Sequence, residues 1–554
     1  MEMTGSVPKF SGEFWLSPLA VLARPEAKSI LVVGYGGGIV VDGIPPTIES
    51  VDVIELEPEV IEANRALRSL RKRDPLADPR IRIVLNDARG ALALTSKRYD
   101  AVVSQPSHPW TAGASHLYTR EFMQQVATHL NPQGVFVQWM NISFLDEALL
   151  RSLSATLLDV FRELRIYRPD PNTLVFVASN AALQTEDFTR VRAGIAAAPS
   201  AYARYGIEVP EDLVVALAAD QQGAEALARG AELITDDRNR LATDTVYDRG
   251  GGFVPTTLSH VLESYDPLTR RDSWVYSPNS QLAYGYMARR LAQFIVTDSS
   301  HANRILRMSK LVPDASMAAY VEAVARGSRG DATGARRLLR ESLGIDPSNQ
   351  QARFDLLRPS LAQLSHDKTS PEITAEAEKL SPVPAALIQA GRHAVLGQWD
   401  ALPALDAVLA QSRWTDTWHV EAVLMRADWR LHVSNPQYRA RYGRDALLLI
   451  EELALTQPSM TTLAMRGRAA IAINRPDILL ESINGYAESV EAGVSYFGTA
   501  DLPGISGNLE SLNNDLATLR TNPQVDTARV DEVRAKLITV RDAIRSRASL
   551  DGPS

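Results

Sequence analysis

Short apolar runs alternate with helical patterns over the first third of the chain. The predicted strands are residues 29–34, 51–56, 81–87, 99–103, 135–139 and 172–178. Helical periodicity follows from Pro58 to about Leu70, and another helix is expected after Thr119, which suits an N-cap. Asn131–Gly134 predicts a turn. Strands separated by helices favour parallel βαβ units, which predicts an α/β fold with a doubly wound, mostly parallel sheet.

The same pattern divides the chain into four segments. We expect an N-terminal segment at 1–28, the sheet domain at 29–180 and an Ala-rich extension at 181–255. The glycine run at 247–255 predicts a linker. Residues 256–554 have a helical pattern rich in Ala, Leu and Arg, which predicts an all-α region.

One stretch of the helical region, RGDATGARRLLRESLGIDPSN (329–349), resembles the second helix and exit turn of a tetratricopeptide repeat. A similar phrase starts at Leu396, and Gly330 and Gly397 lie 67 positions apart (397 − 330), close to two repeats of about 34 residues. An α-solenoid and a plain helical domain both remain open. Either would serve as a packing or partner surface rather than a catalytic one.

Composition narrows the classes of function. The formal net charge of the 554 residues is −8, which argues against a general binder of nucleic acid or anionic membranes. The absence of cysteine excludes disulfides, thiolate nucleophiles and Cys-ligated metals. Met1–Thr4 shows no secretory pattern, and the longest apolar run is too short for a membrane span. We expect a cytoplasmic protein that meets membranes only through a partner.

A glycine loop, VVGYGGG (32–38), ends the first strand. Gly34, Gly36 and Gly38 allow a tight turn and a close approach of the backbone to a ligand. A dinucleotide fingerprint needs a third glycine where this chain has Ile39, so NAD is disfavoured. The spacing instead resembles the loop of S-adenosylmethionine-dependent transferases, and a turn with no ligand is the alternative.

Two carboxylates stand at the ends of the next strands. Glu55 ends the second strand, where an acidic residue can accept both hydroxyls of a ribose. Asp87 ends the third strand, and it either accepts from an adenine amine or caps the following helix. The loop and both carboxylates together predict an adenosine site.

The fourth strand ends in VVSQPSHPW (102–110), which makes Gln105 and His108 the candidate catalytic residues. An amide does not accept a proton near neutral pH, so Gln105 can only orient a polar group. His108 is a candidate base, a ligand contact or a structural loop residue.

Four other residues near the strand ends are candidates for a substrate pocket, namely Tyr35, Ser104, Trp110 and Tyr118. For Trp110 and Tyr118, core packing is the alternative. His116 adds a second imidazole, but no carboxylate or third histidine stands at ligand spacing, so we expect no metal.

Read together, these phrases resemble the spermidine synthase family of aminopropyltransferases. The supporting phrases, within about residues 20–140, are ILVVGYGGG, VDVIELEPEVIEAN, DPRIRIVLNDAR, RYDAVVSQPSHPW and LYTREFMQQVATHLNPQGVFVQW. SQPSHPW and ITDDRNRL also resemble phrases of bacterial spermidine synthase-like proteins. The resemblance implies a methyltransferase-like fold and transfer of an aminopropyl group from decarboxylated S-adenosylmethionine to putrescine.

The resemblance is selective. It assigns Glu55 to ribose and Asp87 to adenine, both present here. The family carries acidic residues, two of them for the amine and one for catalysis, where this chain has Gly37, Gln105 and His108. The family's N-terminal β-domain is not visible before Ser29 either.

Three functions therefore stay open. The chain is an aminopropyltransferase with altered substrate choice, another S-adenosylmethionine-dependent transferase such as a methyltransferase, or a non-catalytic adenosine-binding module on a helical scaffold. The expected ligands are S-adenosylmethionine or its decarboxylated form as co-substrate and an amine. Nucleic acid is not expected. The expected protein partner is a second copy or a protein that binds the helical region.

Overall fold

The chain divides into two compact units. The structure is a computed structural model, and it describes residues 12–66, 68, 74–106, 109, 113–170, 172–203, 205–243, 256–277, 280–293, 300–358, 375–413, 415–433, 435–456, 460–493, 502–523 and 525–550. One unit ends at Ile345 and the other begins at Asp346. The first unit holds the sheet, and the described part of the second is helical.

The sheet has eight strands in the order β3-β2-β1-β4-β5-β7-β6-β8. Their bounds are β1 (Ser29–Val33), β2 (Ser50–Glu55), β3 (Ile81–Leu85), β4 (Tyr99–Ser104), β5 (Leu130–Asn141), β6 (Glu163–Asp170), β7 (Thr173–Ser179) and β8 (Leu217–Ala219). Strands β1 to β5 pair in parallel, as the alternating pattern predicts. The doubly wound, methyltransferase-like α/β fold is therefore confirmed.

The other half of the sheet differs from the prediction. β7 runs antiparallel to both β5 and β6, and β8 is antiparallel to β6. The sequence interpretation omitted β6 and β8. The predicted turn at 131–134 is wrong as a strand boundary, because these residues lie inside β5. Residues 131–134 are nevertheless not paired with β4, because the paired residues of β5 are Leu130 and then Val135.

The first unit also contains helices that pack on the sheet and on one another. They are α1 (Leu16–Ala23), α2 (Ile39–Asp42), α3 (Pro58–Ala66), α4 (Ala88–Ala93), α5 (Arg120–Thr128), α6 (Glu147–Val160), α7 (Phe188–Ala197), α8 (Pro199–Ala203), α9 (Pro210–Ala216), α10 (Gln221–Ala228), α11 (Arg240–Thr243), α12 (Thr256–Glu263), α13 (Tyr284–Gln293), α14 (Ser300–Ser309), α15 (Ala315–Ser328) and α16 (Ala332–Ile345). Short 3₁₀ helices include Gly12–Trp15 and Ala114–Tyr118.

The described part of the N-terminal segment belongs to the core. Every residue of α1 is buried, and its leucines join the same apolar cluster as the central strands. Ser17 donates to the carbonyl of Val40 at 2.7 Å, and the Trp15 indole N–H donates to that of Tyr205 at 3.0 Å. Residues 12–28 therefore fold with the sheet.

The first unit extends beyond the predicted division at 255. Helices α12–α16 belong to it, although the sequence pattern assigned them to the helical region. Buried ion pairs cross the predicted division, from Arg270 to Asp220 at 2.6 Å and from Arg290 to Asp212 at 3.2 Å. Burial of one charge requires its partner, which explains why both segments fold together. The predicted linker at 247–255 lies outside the described residues.

The second unit is built from helices that pair in sequence order. They are α17 (Gln350–Leu357), α18 (Pro382–Val395), α19 (Pro403–Leu409), α20 (His419–Leu431), α21 (Pro436–Thr456), α22 (Met460–Ala472), α23 (Pro476–Gly493), α24 (Leu502–Leu519) and α25 (Thr527–Leu550). α20 packs on α21, α22 on α23 and α24 on α25. The predicted all-α region is confirmed for these residues, while its relation to tetratricopeptide repeats stays a prediction.

Candidate functional site

The ends of β1 and β4 meet at the point where the strand order reverses, which is where open α/β sheets bind ligands. The amide of Gln105 donates to Val33 at 3.0 Å, and the amide of Gly34 donates to Ile54 at 2.9 Å. Gly34 has a φ of +90°, and a Cβ there would lie 2.6 Å from the Gln105 carbonyl oxygen. A side chain at position 34 would therefore force the strand ends apart.

The glycine loop turns through left-handed backbone. Gly36 has a φ of +52° and Gly38 a φ of +76°. Gly38 occupies the N-cap of α2 and donates to the carbonyl of Tyr35 at 2.8 Å. α2 has only four residues, so the helix that follows the loop is a single turn. The loop itself, rather than a long helix, presents its backbone at this edge.

Glu55 fixes the shape of this loop. Its side chain is 8% exposed, and one oxygen accepts from the amides of Tyr35 at 2.9 Å and Gly36 at 3.3 Å. The other oxygen accepts from the amide of Glu57 at 3.0 Å. A carboxylate has about four acceptor positions, so about one is left for a ribose hydroxyl in this conformation. Contact with ribose stays a prediction.

A second support of the loop was not singled out from the sequence as a site residue. The amide of Asn64, on α3, donates to the carbonyl of Gly36 at 2.8 Å and is almost wholly buried. The sequence offered only its position on the inward face of the predicted helix. Together, Glu55 and Asn64 hold the loop by its N–H and carbonyl groups.

Asp87 caps α4. Its Oδ2 accepts from the amide of Gly90 at 2.8 Å, and its own amide donates to Asn86 at 2.9 Å. The sequence left two roles for Asp87, a contact with adenine and a helix cap, and the structure contains the helix cap. The carboxylate is exposed at the end of β3, so contact with adenine stays a prediction.

The predicted pocket residues are more enclosed than expected. Tyr35 is 1% exposed, and Ser104 and Tyr118 are wholly buried. Burial raises the pKa of the Tyr118 phenol. Within the described residues, neither the Ser104 nor the Tyr118 hydroxyl forms a hydrogen bond. His108 and Trp110 lie outside the described residues, so their predicted roles stay predictions.

Ser104 also has a buried polar neighbour on the sheet. Gln138 is its register partner on β5, so both side chains project from the same face. The Gln138 amide donates to the Trp139 carbonyl at 3.1 Å, while its side-chain oxygen forms no hydrogen bond within the described residues. Buried acceptors and hydroxyls of this kind are normally paired, which marks this strand end as a place for polar atoms of a ligand or water.

A charged cluster joins α4 to the start of α5. Both oxygens of Asp236 accept from Arg89, at 2.8 and 2.7 Å. The Thr119 hydroxyl lies 2.8 Å from the same carboxylate, and Nδ1 of His116 lies 3.6 Å from it. The hydrogen bonds from Arg89 lower the pKa of Asp236 to about 2, against its partial burial, so the carboxylate is charged at neutral pH.

This cluster corrects one expectation and adds residues that sequence reasoning missed. Thr119 stands at the N-cap position of α5, but its side chain does not cap the helix. Its hydroxyl faces Asp236 instead. The sequence indicated Asp236 only through the phrase ITDDRNRL, because Arg89 and Thr119 are more than a hundred positions away.

The described residues also bear on metal binding and on membrane crossing. In the part of the chain that the structure describes, no group of three or more His, Asp or Glu side chains is arranged to hold a metal ion. Among the described helices, none is both long and apolar enough to cross a membrane.

Part of the first unit is similar to a known family of proteins. Residues 13–169 match the spermine/spermidine synthase domain. The polyamine aminopropyltransferase of Shigella boydii is 28% identical over 134 residues, which are 24% of this chain and 46% of that protein. That of Yersinia pestis is 28% identical over 138 residues, with the same coverage. The chain thus matches about half the length of these curated relatives.

Solved structures also resemble part of the chain. The spermidine synthase of Thermotoga maritima is 24% identical, with a TM-score of 0.27 and coverage of 31% of this chain and 60% of that one. A probable spermidine synthase of Corynebacterium glutamicum is 18% identical, with a TM-score of 0.29 and coverage of 40% and 79%. Human methyltransferase-like protein 13, in complex with SAH, is 20% identical, with a TM-score of 0.26 and coverage of 34% and 88%.

Proposed function

Starting from the spermine/spermidine synthase domain at residues 13–169, we propose that this chain binds decarboxylated S-adenosylmethionine and transfers its aminopropyl group to an amine. One observation carries the proposal. The glycine loop, the buried Glu55 and the end of β4 meet at the topological switch between β1 and β4. The aminopropyltransferases of Shigella and Yersinia support the same reaction class.

The chemistry is a displacement at a methylene group next to a sulfonium. The lone pair of a neutral amine forms the new N–C bond, and the C–S bond breaks, with its electrons passing to sulfur. The protein would hold the nucleoside and align the amine, because alignment of two reactants removes much of the barrier. Glu55 would bind ribose through its remaining acceptor position, and Asp87 would face the adenine.

The proposed acceptor differs from a diamine such as putrescine. The cationic ends of diamines need carboxylates, and the family's acidic positions correspond here to Gly37, Gln105 and His108. Gln105 adjoins the loop but has no proton-accepting group. We therefore propose a monoamine, or an amine with an uncharged far end, as the acceptor class.

Calorimetric titration with methylthioadenosine, S-adenosylmethionine and its decarboxylated form tests nucleoside binding. We expect the decarboxylated form to bind most tightly. Glu55→Gln should weaken all three ligands by about tenfold or more, because it loses charge-assisted hydrogen bonds. Glu57→Gln is the matched control, since this neighbouring carboxylate is exposed and only its backbone contacts Glu55. Absence of binding by all three ligands would refute the proposal.

Gln105→Asp tests the altered strand end. If the missing carboxylate restricts the acceptor, this variant should gain transfer to putrescine, measured as methylthioadenosine release. Gln105→Asn has the shorter side chain without the charge, so it controls for size. No gain in the Asp variant, with nucleoside binding intact, would contradict our explanation of acceptor choice.

Methyl transfer is the second candidate function. The loop has Gly37 where the family carries an acidic residue. It therefore has no negative charge at this position to repel the carboxylate of intact S-adenosylmethionine. Tighter binding of the intact form than of the decarboxylated form would favour this candidate. Binding without turnover of either nucleoside would favour a non-catalytic adenosine-binding module.

A further inference from the structure

Proton removal requires a group that the end of β4 does not provide. An amine is cationic near neutral pH, and it must lose a proton before or as it attacks. Gln105 cannot take that proton. His116 is the imidazole of the described segment between β4 and α5. α5 returns from the carboxyl edge of the sheet to the start of β5, so the 3₁₀ helix before it lies on the side of the proposed site.

His116 has the geometry of an oriented base. Its side chain is 49% exposed, and its Nδ1 lies 3.6 Å from Asp236. A carboxylate beside Nδ1 favours the tautomer with the proton on that nitrogen, which leaves Nε2 as the acceptor. Within the described residues, Nε2 forms no hydrogen bond.

Asp236 is itself held from several sides. Arg89 on α4 binds both carboxylate oxygens, and Thr119 lies beside one of them. The backbone amide of Asp236 donates to Glu121 on α5 at 2.9 Å. The charged groups of this cluster are thus Asp236, Arg89 and Glu121, with Asp87 near Arg89 at the start of α4. The arrangement fixes a carboxylate beside Nδ1 of the imidazole.

We infer that His116 accepts the proton of the attacking amine and that Asp236 is its positioning residue; this inference rests on the proposed function. Nε2 takes one proton from the alkylammonium group and gives a neutral amine and an imidazolium. The amine nitrogen forms a bond to the methylene carbon, and the C–S bond breaks to leave neutral methylthioadenosine. The new secondary ammonium carries the added positive charge, and the imidazolium returns its proton to solvent.

The test is the pH dependence of kcat/KM for methylthioadenosine release from decarboxylated S-adenosylmethionine, with butylamine and putrescine as probes. Wild type should lose activity as the pH falls, because the base becomes protonated. His116→Gln should reduce kcat/KM by about a hundredfold or more and remove that acid limb. Methylthioadenosine affinity and melting temperature should stay near wild type, since the side chain is half-exposed.

Asp236→Asn separates positioning from simple support of the fold. Without the carboxylate beside Nδ1 the imidazole loses its fixed orientation, so kcat should fall while the KM for the nucleoside stays near that of wild type. A purely structural role would instead lower the melting temperature and raise that KM. His260→Gln is the matched control, because Nδ1 of His260 lies 3.5 Å from Glu263 in a similar pair on α12.

Failure of the inference about His116 and failure of the proposed function give different results. If wild type releases methylthioadenosine and His116→Gln keeps the acid limb and the rate, the inference about His116 is wrong while the proposed function stands. If wild type binds methylthioadenosine but releases none with either amine, the transfer reaction fails, and the role of His116 fails with it.

Discussion

At Gly34 the backbones of two strand ends touch. The residue has a φ of +90°, outside the left-handed region that alanine tolerates, and a Cβ would lie 2.6 Å from the Gln105 carbonyl. Gly36 also has a positive φ, but a Cβ there would meet nothing within 4 Å. Substitution of Gly34 would therefore disturb both the backbone conformation and a close contact, whereas substitution of Gly36 would disturb the conformation alone.

This contrast gives the first prediction. Gly36→Ala should cost about 1–2 kcal/mol of unfolding free energy, for the left-handed conformation alone. Gly34→Ala should cost clearly more and should weaken methylthioadenosine binding, because the loop and the end of β4 must separate. Urea unfolding and calorimetry of both variants measure this. Equal losses in the two variants would show that the contact with Gln105 does not constrain the loop.

Tyr118 gives a second prediction at the residue scale. Its hydroxyl is buried without a hydrogen bond to any described residue, so Tyr118→Phe should leave the unfolding free energy unchanged or raise it by about 1 kcal/mol. Tyr99→Phe is the control, because its hydroxyl donates to Asp52 at 2.7 Å and its loss should destabilise the chain. Similar losses in both variants would contradict this expectation. Unchanged affinity for methylthioadenosine would remove Tyr118 from the candidate pocket.

Sequence reasoning reached some site residues and not others for a physical reason. Glu55, Asp87 and Gln105 follow directly from strand ends, because the carboxyl ends of parallel strands share one edge of the sheet. His116 and Asp236 are 120 positions apart, and only the folded chain brings them together. The enclosure of Tyr118 likewise depends on packing that no local pattern encodes.

At the scale of elements, periodicity located both ends of β1 to β4 to within two residues, whereas β5 begins five residues before its predicted start (135 − 130). β1 and β2 are short, mostly buried runs rich in β-branched residues between turn signals, which is why the pattern was sufficient there. β8 has only three residues, and β6 carries polar residues at its end, so neither stood out. The direction of β7 depends on its partners in the sheet, which its own sequence does not specify.

Asp52 on β2 links its own strand with side chains of β3, of β4 and of the segment before β4. It is almost wholly buried on β2 and accepts from Arg82 on β3, from Lys97 at 2.8 Å and from Tyr99 on β4 at 2.7 Å. Burial would raise the pKa of Asp52, but the hydrogen bonds from Arg82, Lys97 and Tyr99 outweigh it and lower that pKa to about 2. The charged carboxylate therefore ties β2 to β3 and to the start of β4.

The third prediction concerns its pH dependence. Asp52→Asn should lower the unfolding free energy at neutral pH by about 1–3 kcal/mol. In wild type the contribution is complete above the ordinary pKa of 3.8 and is lost as the pH falls through about 2. The difference between the two proteins should therefore shrink over that window in urea unfolding. Glu49→Gln, in the exposed pair with Lys28, should change little at any pH. A difference that stays constant down to the lowest pH would contradict the assignment.

At the scale of the whole molecule, the sequence and the structure divide the chain differently. The glycine run suggested a boundary near 255, while the compact unit ends at Ile345. The glycine-rich composition suggests a linker but does not reveal which later helices belong to the first unit. Arg270 and Arg290 do return, to Asp220 and Asp212, and the Tyr286 hydroxyl donates to Asp212 at 2.7 Å.

Truncation decides between the two boundaries. Residues 1–345 should fold, unfold cooperatively and bind methylthioadenosine as the full chain does. Residues 1–255 would lose both arginine partners and would expose apolar surface of the core that Leu258 and Leu262 of α12 now cover. Both losses are large against the whole stability of a typical domain, about 5–15 kcal/mol, so the shorter chain should not fold. Circular dichroism melts and nucleoside titration of both chains measure the outcome. A folded, nucleoside-binding 1–255 chain would show that α12–α16 are dispensable and would restore the boundary near 255.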